Sequence, residues 1–289
     1  FHTQGEAIAR ILERDGTEVS VSTSNTASVG NAISLDEDAL DFGCMASNWI
    51  GRARSGTPPF ADPIDLRMVA PLNAGPLFFV TLAGSPQADS PMADITDLKG
   101  KRVAVGLEHS GMTQHVRVIF DALGMSFDDF EPVWLGFSDG ADALVAGEVD
   151  AQFQCPIPNT VMTDLSQRAD IAVLPLTNDQ ISRLLAAVPY YRLVTMQKGA
   201  FRGHDADCDQ IGVLNVLVTH ARTDPAMVQY VARSLCENAQ ELETLNPLFR
   251  GLAGLFEPLQ RDGAEAMEHG GVPLHDGAVT AYREAGYLD

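Results

Sequence analysis

Runs of alternating apolar and polar residues predict β-strands at several places in the chain. Apolar side chains occupy every second position in four runs, at Val19 and Val21, Leu40 and Phe42, Val103 and Val105, and Ala151 and Phe153. A period of two is typical of a strand with one buried face. The uncharged stretch 68–88 is broken by prolines and glycines. It therefore predicts an extended buried segment and not a membrane-spanning helix, which needs an unbroken run.

Two other segments have the three- and four-residue spacing of amphipathic helices. One ends at Gly124, a typical C-terminal stop, after Val116, Ile119, Phe120 and Leu123. The second begins at Asp224 and Pro225, a capping residue followed by a first-turn proline, and continues through Val228, Val231, Leu235, Leu242 and Leu245. Strands that alternate with helices predict parallel sheets covered by helices, with ligands bound where strand ends meet helix starts.

Four polar loops stand at predicted strand–helix junctions, at 24–28, 47–48, 109–113 and 138–139. Each offers backbone N–H groups and a polar side chain at the positive end of a helix, which suits a carboxylate or a phosphate. The same residue types are ordinary helix caps in proteins of any function. The sequence leaves both interpretations open.

Composition narrows the class of partner. The 289 residues include 39 acidic and 19 basic side chains, a net charge of −20, and 45% are apolar. This is a folded composition, long enough for one large domain or two lobes, and its charge argues against nucleic acid or an anionic membrane surface. The start of the chain has no signal-peptide pattern, and an exported chain after processing would look the same.

Motifs for catalysis and for metal binding are absent from the sequence. Ser110 follows Glu108 and His109, but no G-x-S-x-G elbow surrounds it, and no nucleotide loop or histidine pair with zinc-ligand spacing occurs. We therefore expect no catalytic residue, no metal and no cofactor. The four cysteines have no CxxC spacing; small buried thiols are favoured, and pairing stays open.

Several segments resemble a known family. Residues 97–106, Asp-Leu-Lys-Gly-Lys-Arg-Val-Ala-Val-Gly, followed by Ser110 and Gly111, resemble a segment found in many extracytoplasmic solute-binding proteins. Residues 271–278 and 282–288 are similar to the C-terminal signature of the TAXI family, the binding components of TRAP transporters. Further matches follow the family's order, at 40–47, 141–151 and 211–219.

The resemblance implies an α/β chain with the two-lobed periplasmic-binding-protein fold, type II-like. Two doubly wound sheets would be joined by a hinge of two segments, near 73–76 and 208–212. Lobe 1 would hold 1–74 and 212–289, and lobe 2 would hold 75–211. The family's first strand would precede Phe1.

The resemblance also implies a function. We expect a periplasmic solute-binding protein, not an enzyme, that captures a small anionic solute for the membrane permease of a TRAP-type importer driven by an ion gradient. The alternative is a ligand-sensing receptor domain or an enzyme built on the same fold. Asn48 stands where the family has an aspartate, which removes a partner for an ammonium group. A carboxylate without an amine is therefore favoured.

The candidate ligand contacts come from the polar loops and from the segments matched to the family. Trp49 either covers the ligand or packs in the core, and both interpretations stay open. Pro156 lies where the family has a glycine-rich motif before a proline. The full set of candidates is Asn25, Thr26, Ser28, Ser47, Asn48, Trp49, His109, Ser110, Gly111, Met112, Thr113, Gln154 and Pro156.

Overall fold

The computed structural model describes residues 1–23, 27–83, 92–108 and 110–289. The chain divides into two compact units. Unit 1 comprises Phe1–Ala74 and Leu214–Asp289, and unit 2 comprises Gly75–Val213. Asn25, Thr26 and His109 of the candidate set lie outside the described residues.

The elements are numbered in chain order. The helices are α1 (His2–Leu12), α2 (Ser28–Asp36), α3 (Ser47–Ser55), α4 (Gly111–Leu123), α5 (Phe137–Ala146), α6 (Thr160–Arg168), α7 (Asn178–Ala187), α8 (Pro225–Glu237), α9 (Ala239–Leu245), α10 (Glu257–Asp262) and α11 (Asp276–Glu284). The strands are β1 (Gly43–Ala46), β2 (Leu66–Leu82), β3 (Arg102–Ala104), β4 (Glu131–Val133), β5 (Ala151–Gln154), β6 (Ile171–Val173), β7 (Tyr191–Met196) and β8 (Cys208–His220). Both unit boundaries fall inside strands, β2 and β8.

Unit 2 is built on a mixed sheet. Strand β3 is parallel to β4 and to β5, with Val103 opposite Pro132 and Ala151. Strand β2 is antiparallel to β5 and β6, and β7 is antiparallel to β8. The prediction of parallel sheets is therefore confirmed for β3, β4 and β5 and wrong for the pairings of β2 and β8. The reason is that the long strands β2 and β8 run opposite to the neighbours they pair with in this unit.

Helices cover both faces of the unit 2 sheet, and alternate side chains of its strands enter two separate cores. Phe79 and Phe153 pack with α4 and α7 on one face. Phe78 and Ala104 pack with α5 and α6 on the other. This arrangement of a sheet between two helical layers confirms the predicted α/β class.

Unit 1 has one core, to which α1, α2, α3, α8 and α11 contribute together with β1 and β8. Strand β1 is antiparallel to β8, with Cys44 opposite Leu217. The C-terminal segment closes this core: the Tyr282 hydroxyl donates to the Val69 carbonyl at 2.6 Å, and His275 Nδ1 accepts from the Gly277 N–H at 3.1 Å. Residues 275, 277 and 282 of this segment therefore have a structural role.

Several local predictions are confirmed. Strands β3 and β5 and helix α4, with Gly124 in a left-handed C-cap, lie where the pattern places them. The extended segment predicted at 68–88 is confirmed over 68–82, within β2, and its residues 84–88 lie outside the described residues. Among the described residues, no helix has the length and apolar character needed to cross a membrane.

Other local predictions were wrong. No strand forms at Val19 and Val21, whose alternation reflects packing: Val19 contacts the unit 1 core, and Val21 lies against Gly5 of α1. Strand β1 begins at Gly43, after the predicted Leu40 and Phe42. The long C-terminal helix is two helices, α8 and α9, separated at Asn238.

Two of the four polar segments are already helical. Residues 47–48 begin α3, and 138–139 lie in the first turn of α5.

Candidate functional site

The strongest candidate site in unit 2 is the carboxyl edge of its parallel strands. Strand β3 leads into α4, β4 into α5, and β5 into α6. Because β3 is parallel to both of its neighbours, the three strand ends and the helix starts that follow them lie along one edge. This edge of an open α/β sheet is where ligands usually bind.

Ser110 and Thr113 order the start of α4. The Ser110 hydroxyl accepts from the Thr113 N–H at 3.3 Å, so Ser110 caps the helix. The buried Thr113 hydroxyl lies 2.8 Å from the Leu107 carbonyl, to which it donates. Gly106 has φ of +99°, a conformation that favours glycine, and it lets Met112 lie close to the backbone. Of the predicted contacts here, Gly111 is exposed and Met112 is half-buried.

The starts of α5 and α6 differ in how they are capped. Asn159 caps α6: its side-chain oxygen accepts from the Met162 N–H at 2.7 Å, and its amide donates to the Pro156 carbonyl at 2.6 Å. Gly136 precedes α5 and provides no side-chain cap. The first-turn N–H groups of α5 are therefore the ones at this edge that lack a capping side chain.

Two glutamines of β5 form what we call the unit 2 amide pair, Gln152 and Gln154. Both are fully buried, at 0% exposure. The Gln152 side-chain nitrogen donates to the Phe137 carbonyl in the first turn of α5 at 2.7 Å. The Gln152 oxygen, and both the oxygen and the nitrogen of Gln154, have no hydrogen-bond partner among the described residues. Leaving a buried polar atom unpaired costs about 1–3 kcal/mol.

Residues beside the amide pair are apolar or inert. Burial raises the pKa of the Cys155 thiol to about 12, so it remains protonated near neutral pH. Pro156 packs against Gly75, where an added Cβ would lie 2.8 Å from the proline Cβ. The four cysteines all lie in described ranges, and each is a free thiol.

Helix α4 also carries His115, which was not among the predicted residues. Its Nδ1 lies 3.0 Å from the hydroxyl of the buried Tyr191. Desolvation lowers the pKa of His115 to about 4, so the ring is neutral at neutral pH.

Unit 1 holds the remaining described candidates at the starts of α2 and α3. The buried Ser28 hydroxyl accepts from the Ala46 N–H at 3.0 Å, which ties α2 to the end of β1. Ser47 is buried at the first position of α3. The side-chain oxygen of Asn48 is buried and has no hydrogen-bond partner in the described part of the chain.

Trp49 is half-buried on α3. Its ring packs against the unit 1 core, and the Arg52 guanidinium lies 5.4 Å from the ring centroid. At that distance the two side chains form a cation–π contact. Core packing accounts for part of the ring surface, and a ligand contact by Trp49 stays a prediction.

Three amides in unit 1 form a second buried group, which we call the unit 1 amide cluster. The Asn73 side-chain oxygen accepts from Gln4 at 2.9 Å and from Asn215 at 3.3 Å. Asn73 lies on β2 and Asn215 on β8, each close to the unit boundary. The cluster therefore joins both crossing strands to α1 within unit 1.

Sequence reasoning found Gln154 and missed Gln152, Gln4 and Asn215. Alternation at Ala151 and Phe153 predicted a half-buried or buried strand and did not distinguish between the two. A strand that has neighbours on both edges and helices on both faces buries every position. The two glutamines in this run were therefore the feature of the sequence that could have indicated buried polar groups.

Comparison with known proteins places the fold. The structure of a putative sulfonate ABC transporter's periplasmic sulfonate-binding protein SsuA from Methylobacillus flagellatus KT matches with a TM-score of 0.54 and 16% identity, over 99% of this chain and 82% of that one. A TctC solute binding protein from Polaromonas matches with a TM-score of 0.55 and 16% identity, over 99% and 91% of the two chains. The sequence model of the NMT1-like family matches residues 1–286, and the chain belongs to that family.

Proposed function

We propose that this protein is an extracytoplasmic solute-binding protein that captures a small carboxylate for a TRAP-type importer. The observation that carries the proposal is the carboxyl edge of unit 2. There the starts of α4, α5 and α6 follow neighbouring parallel strands, α5 has no side-chain cap, and Gln154 has unpaired polar atoms.

The chemistry of that edge favours an anion. Helix starts present N–H donors and the positive end of the helix dipole, and charge-assisted hydrogen bonds are stronger than neutral ones. The whole chain carries a net charge of −20, so attraction of an anion has to come from such local groups. A small carboxylate fits because it offers two acceptor oxygens to several donors.

The transport role is supported by family membership and by the fold shared with two solute-binding proteins. The TRAP-type permease as partner rests on the resemblance of residues 271–288 to the TAXI signature. One structural neighbour is named a sulfonate-binding protein. Sulfonates are therefore the anions against which carboxylates have to be compared.

Binding without chemistry is favoured over catalysis. The thiol closest in sequence to the amide pair, Cys155, is held protonated by a pKa raised to about 12. One ring nitrogen of His115 is already hydrogen-bonded to the Tyr191 hydroxyl. Neither is poised as a nucleophile or as a general base facing solvent.

Isothermal titration calorimetry with matched carboxylates and sulfonates tests the proposal. We expect a carboxylate of two to six carbons to bind at micromolar or lower concentration, with each equal-sized sulfonate at least about tenfold weaker. If the sulfonate binds more tightly in every matched pair, the substrate class is sulfonates and not carboxylates. Turnover of a bound acid, followed by mass spectrometry, would favour the enzyme alternative.

A shift in conformation on binding is part of the proposed mechanism. A ligand that binds one conformation more tightly than another shifts the population toward the first. Small-angle scattering is expected to give a smaller radius of gyration with saturating carboxylate than without it. Identical curves at confirmed occupancy would contradict such a shift.

A further inference from the structure

The unit 2 amide pair has an excess of unpaired hydrogen-bond acceptors. The bond from the Gln152 nitrogen to the Phe137 carbonyl fixes the orientation of that amide, so its unpaired atom is the oxygen. Gln154 leaves both of its polar atoms unpaired, so the inventory is the same for either orientation of its amide. The pair therefore presents two acceptor oxygens, the NH₂ group of Gln154 and the second N–H of Gln152.

We propose that the acid bound by this protein carries a hydroxyl group, and that Gln152 and Gln154 recognise the hydroxyl. This inference rests on the proposed function. The two side chains stand two residues apart on β5 and therefore point to the same face, where Phe78 lies opposite Gln154. That face is covered by α5 and α6. Gln152 adjoins the helix start that has no side-chain cap, through its bond to the Phe137 carbonyl.

An acid without a hydroxyl group leaves most of the unpaired polar atoms of the unit 2 amide pair without a partner. Carboxylate oxygens only accept, so they can bond the Gln154 nitrogen and the N–H groups of α5, but neither glutamine oxygen. A hydroxyl both donates and accepts. A hydroxyl beside the carboxylate can therefore donate to an amide oxygen of the pair. The N–H donors remain available to the carboxylate oxygens.

An ammonium group also donates, but it fits this pair poorly. Burying a charge is expensive unless an opposite charge pairs with it. Both glutamines are neutral, and their 0% exposure keeps water from screening a charge beside them. A neutral hydroxyl carries no such cost.

The competing explanation is an enclosed structural water, which would pair the same atoms through its own donors and acceptors. A water of that kind stays in place when ligand binds, and it would make the protein indifferent to a hydroxyl on the acid. The two explanations therefore predict different ligand preferences.

Calorimetry on the full chain with matched acids separates them. The probes are propionate, lactate and alanine, then succinate, malate and aspartate, extended to acids of two to six carbons in deoxy and hydroxy forms. Wild type is expected to bind the hydroxy acid about tenfold more tightly than its deoxy partner in the chain length that fits best, and the amino acid most weakly.

The variant Gln154→Met keeps the volume of the side chain and removes the amide. We expect it to reduce the preference for the hydroxy acid to less than about threefold. Gln210→Met is the matched control. Gln210 is also a buried amide of unit 2, but it donates to the Leu174 carbonyl at 3.1 Å, and its loss should leave the preference unchanged.

The outcomes are distinct. Carboxylates that bind equally well with and without the hydroxyl would overturn this inference and leave the proposed function standing. Failure of every acid to bind wild type would contradict both. The comparison in wild type alone decides the inference if Gln154→Met does not fold, and Gln152→Met then provides a second variant.

Discussion

The two buried amide groups of this protein contain similar residues in opposite states. In the unit 1 amide cluster, Gln4 and Asn215 donate to Asn73 across three elements. In the unit 2 amide pair, three polar atoms of Gln152 and Gln154 have no partner in the described ranges. The unit 1 amide cluster forms its hydrogen bonds within the fold. The unit 2 amide pair has polar atoms that no described residue bonds.

The difference separates a structural role from a binding role. Buried polar groups are normally paired, because an unpaired one costs about 1–3 kcal/mol. A paired cluster stabilises the folded chain by itself. An unpaired group lowers the stability of the folded chain until another molecule forms hydrogen bonds with it. Binding sites commonly reduce stability in this way in exchange for function.

The largest effect is expected from Asn73→Leu. This change removes the acceptor of two hydrogen bonds and leaves the donor of the buried Gln4 unpaired. We expect the free energy of unfolding to fall by about 2–4 kcal/mol. Urea unfolding followed by circular dichroism measures it, and a loss below about 0.5 kcal/mol would show that the cluster contributes little.

Acid should destabilise unit 2 through His115. Desolvation lowers the pKa of this side chain from 6.5 to about 4 in the folded chain. Between these values the unfolded chain binds the proton and the folded chain does not. The contribution of His115 to the free energy of unfolding is therefore fully present above about pH 6.5. It falls by up to about 3 kcal/mol as the pH drops to about 4.

The variant His115→Gln tests that assignment. Its side chain can still bond the Tyr191 hydroxyl but does not titrate. The slope of the unfolding free energy between pH 6.5 and 4.5 should be smaller in the variant than in wild type. Equal slopes would assign the effect to other groups.

Matched glutamine substitutions compare the two amide groups directly. Gln4→Met should destabilise the protein by about 1 kcal/mol, because it removes a buried hydrogen bond to Asn73. Gln154→Met should leave the unliganded protein unchanged or stabilise it by up to about 1 kcal/mol, because it removes an unpaired buried amide. Equal destabilisation by both changes would contradict the distinction.

Ser110→Ala separates capping from ligand binding at α4. Loss of the cap should cost about 1 kcal/mol of stability, and ligand affinity should fall about fivefold. Thr177→Ala is the control, since Thr177 caps α7 with a similar bond to the Gln180 N–H at 3.2 Å. Unchanged affinity in Ser110→Ala, with stability lowered as in the control, would leave Ser110 a cap only.

The smallest effect concerns Trp49, the half-buried ring on α3 of unit 1. In a Trp134→Phe variant, Trp49 is the remaining tryptophan. A ligand that covers the ring should shift its emission to shorter wavelength, because the ring loses contact with water. Fluorescence that stays constant while calorimetry reports saturation would assign Trp49 to core packing.

The sequence predicted the elements whose signals are local. Val103, Phe153 and Leu123 belong to runs with a clear period, and β3, β5 and α4 form there. Val19 and Val21 have the same period and form no strand, because that alternation comes from packing on the core and on α1.

The amide groups were less accessible to sequence reasoning. Gln4 and Asn215 are separated by most of the chain, and only the fold brings both to Asn73. Gln154 was among the candidates and adjoins the segment around Pro156 that was compared with the family's motif. The unpaired state of its amide depends on the helices that cover β5, which a strand pattern does not specify.

Native mass spectrometry of the full chain, purified without refolding and then titrated with the carboxylate and hydroxycarboxylate panel, tests carboxylate binding most directly. We expect one bound small acid per chain in wild type, with lower occupancy in Gln154→Met at equal acid concentration. A wild-type protein that carries no acid at millimolar concentrations of every probe would contradict carboxylate binding.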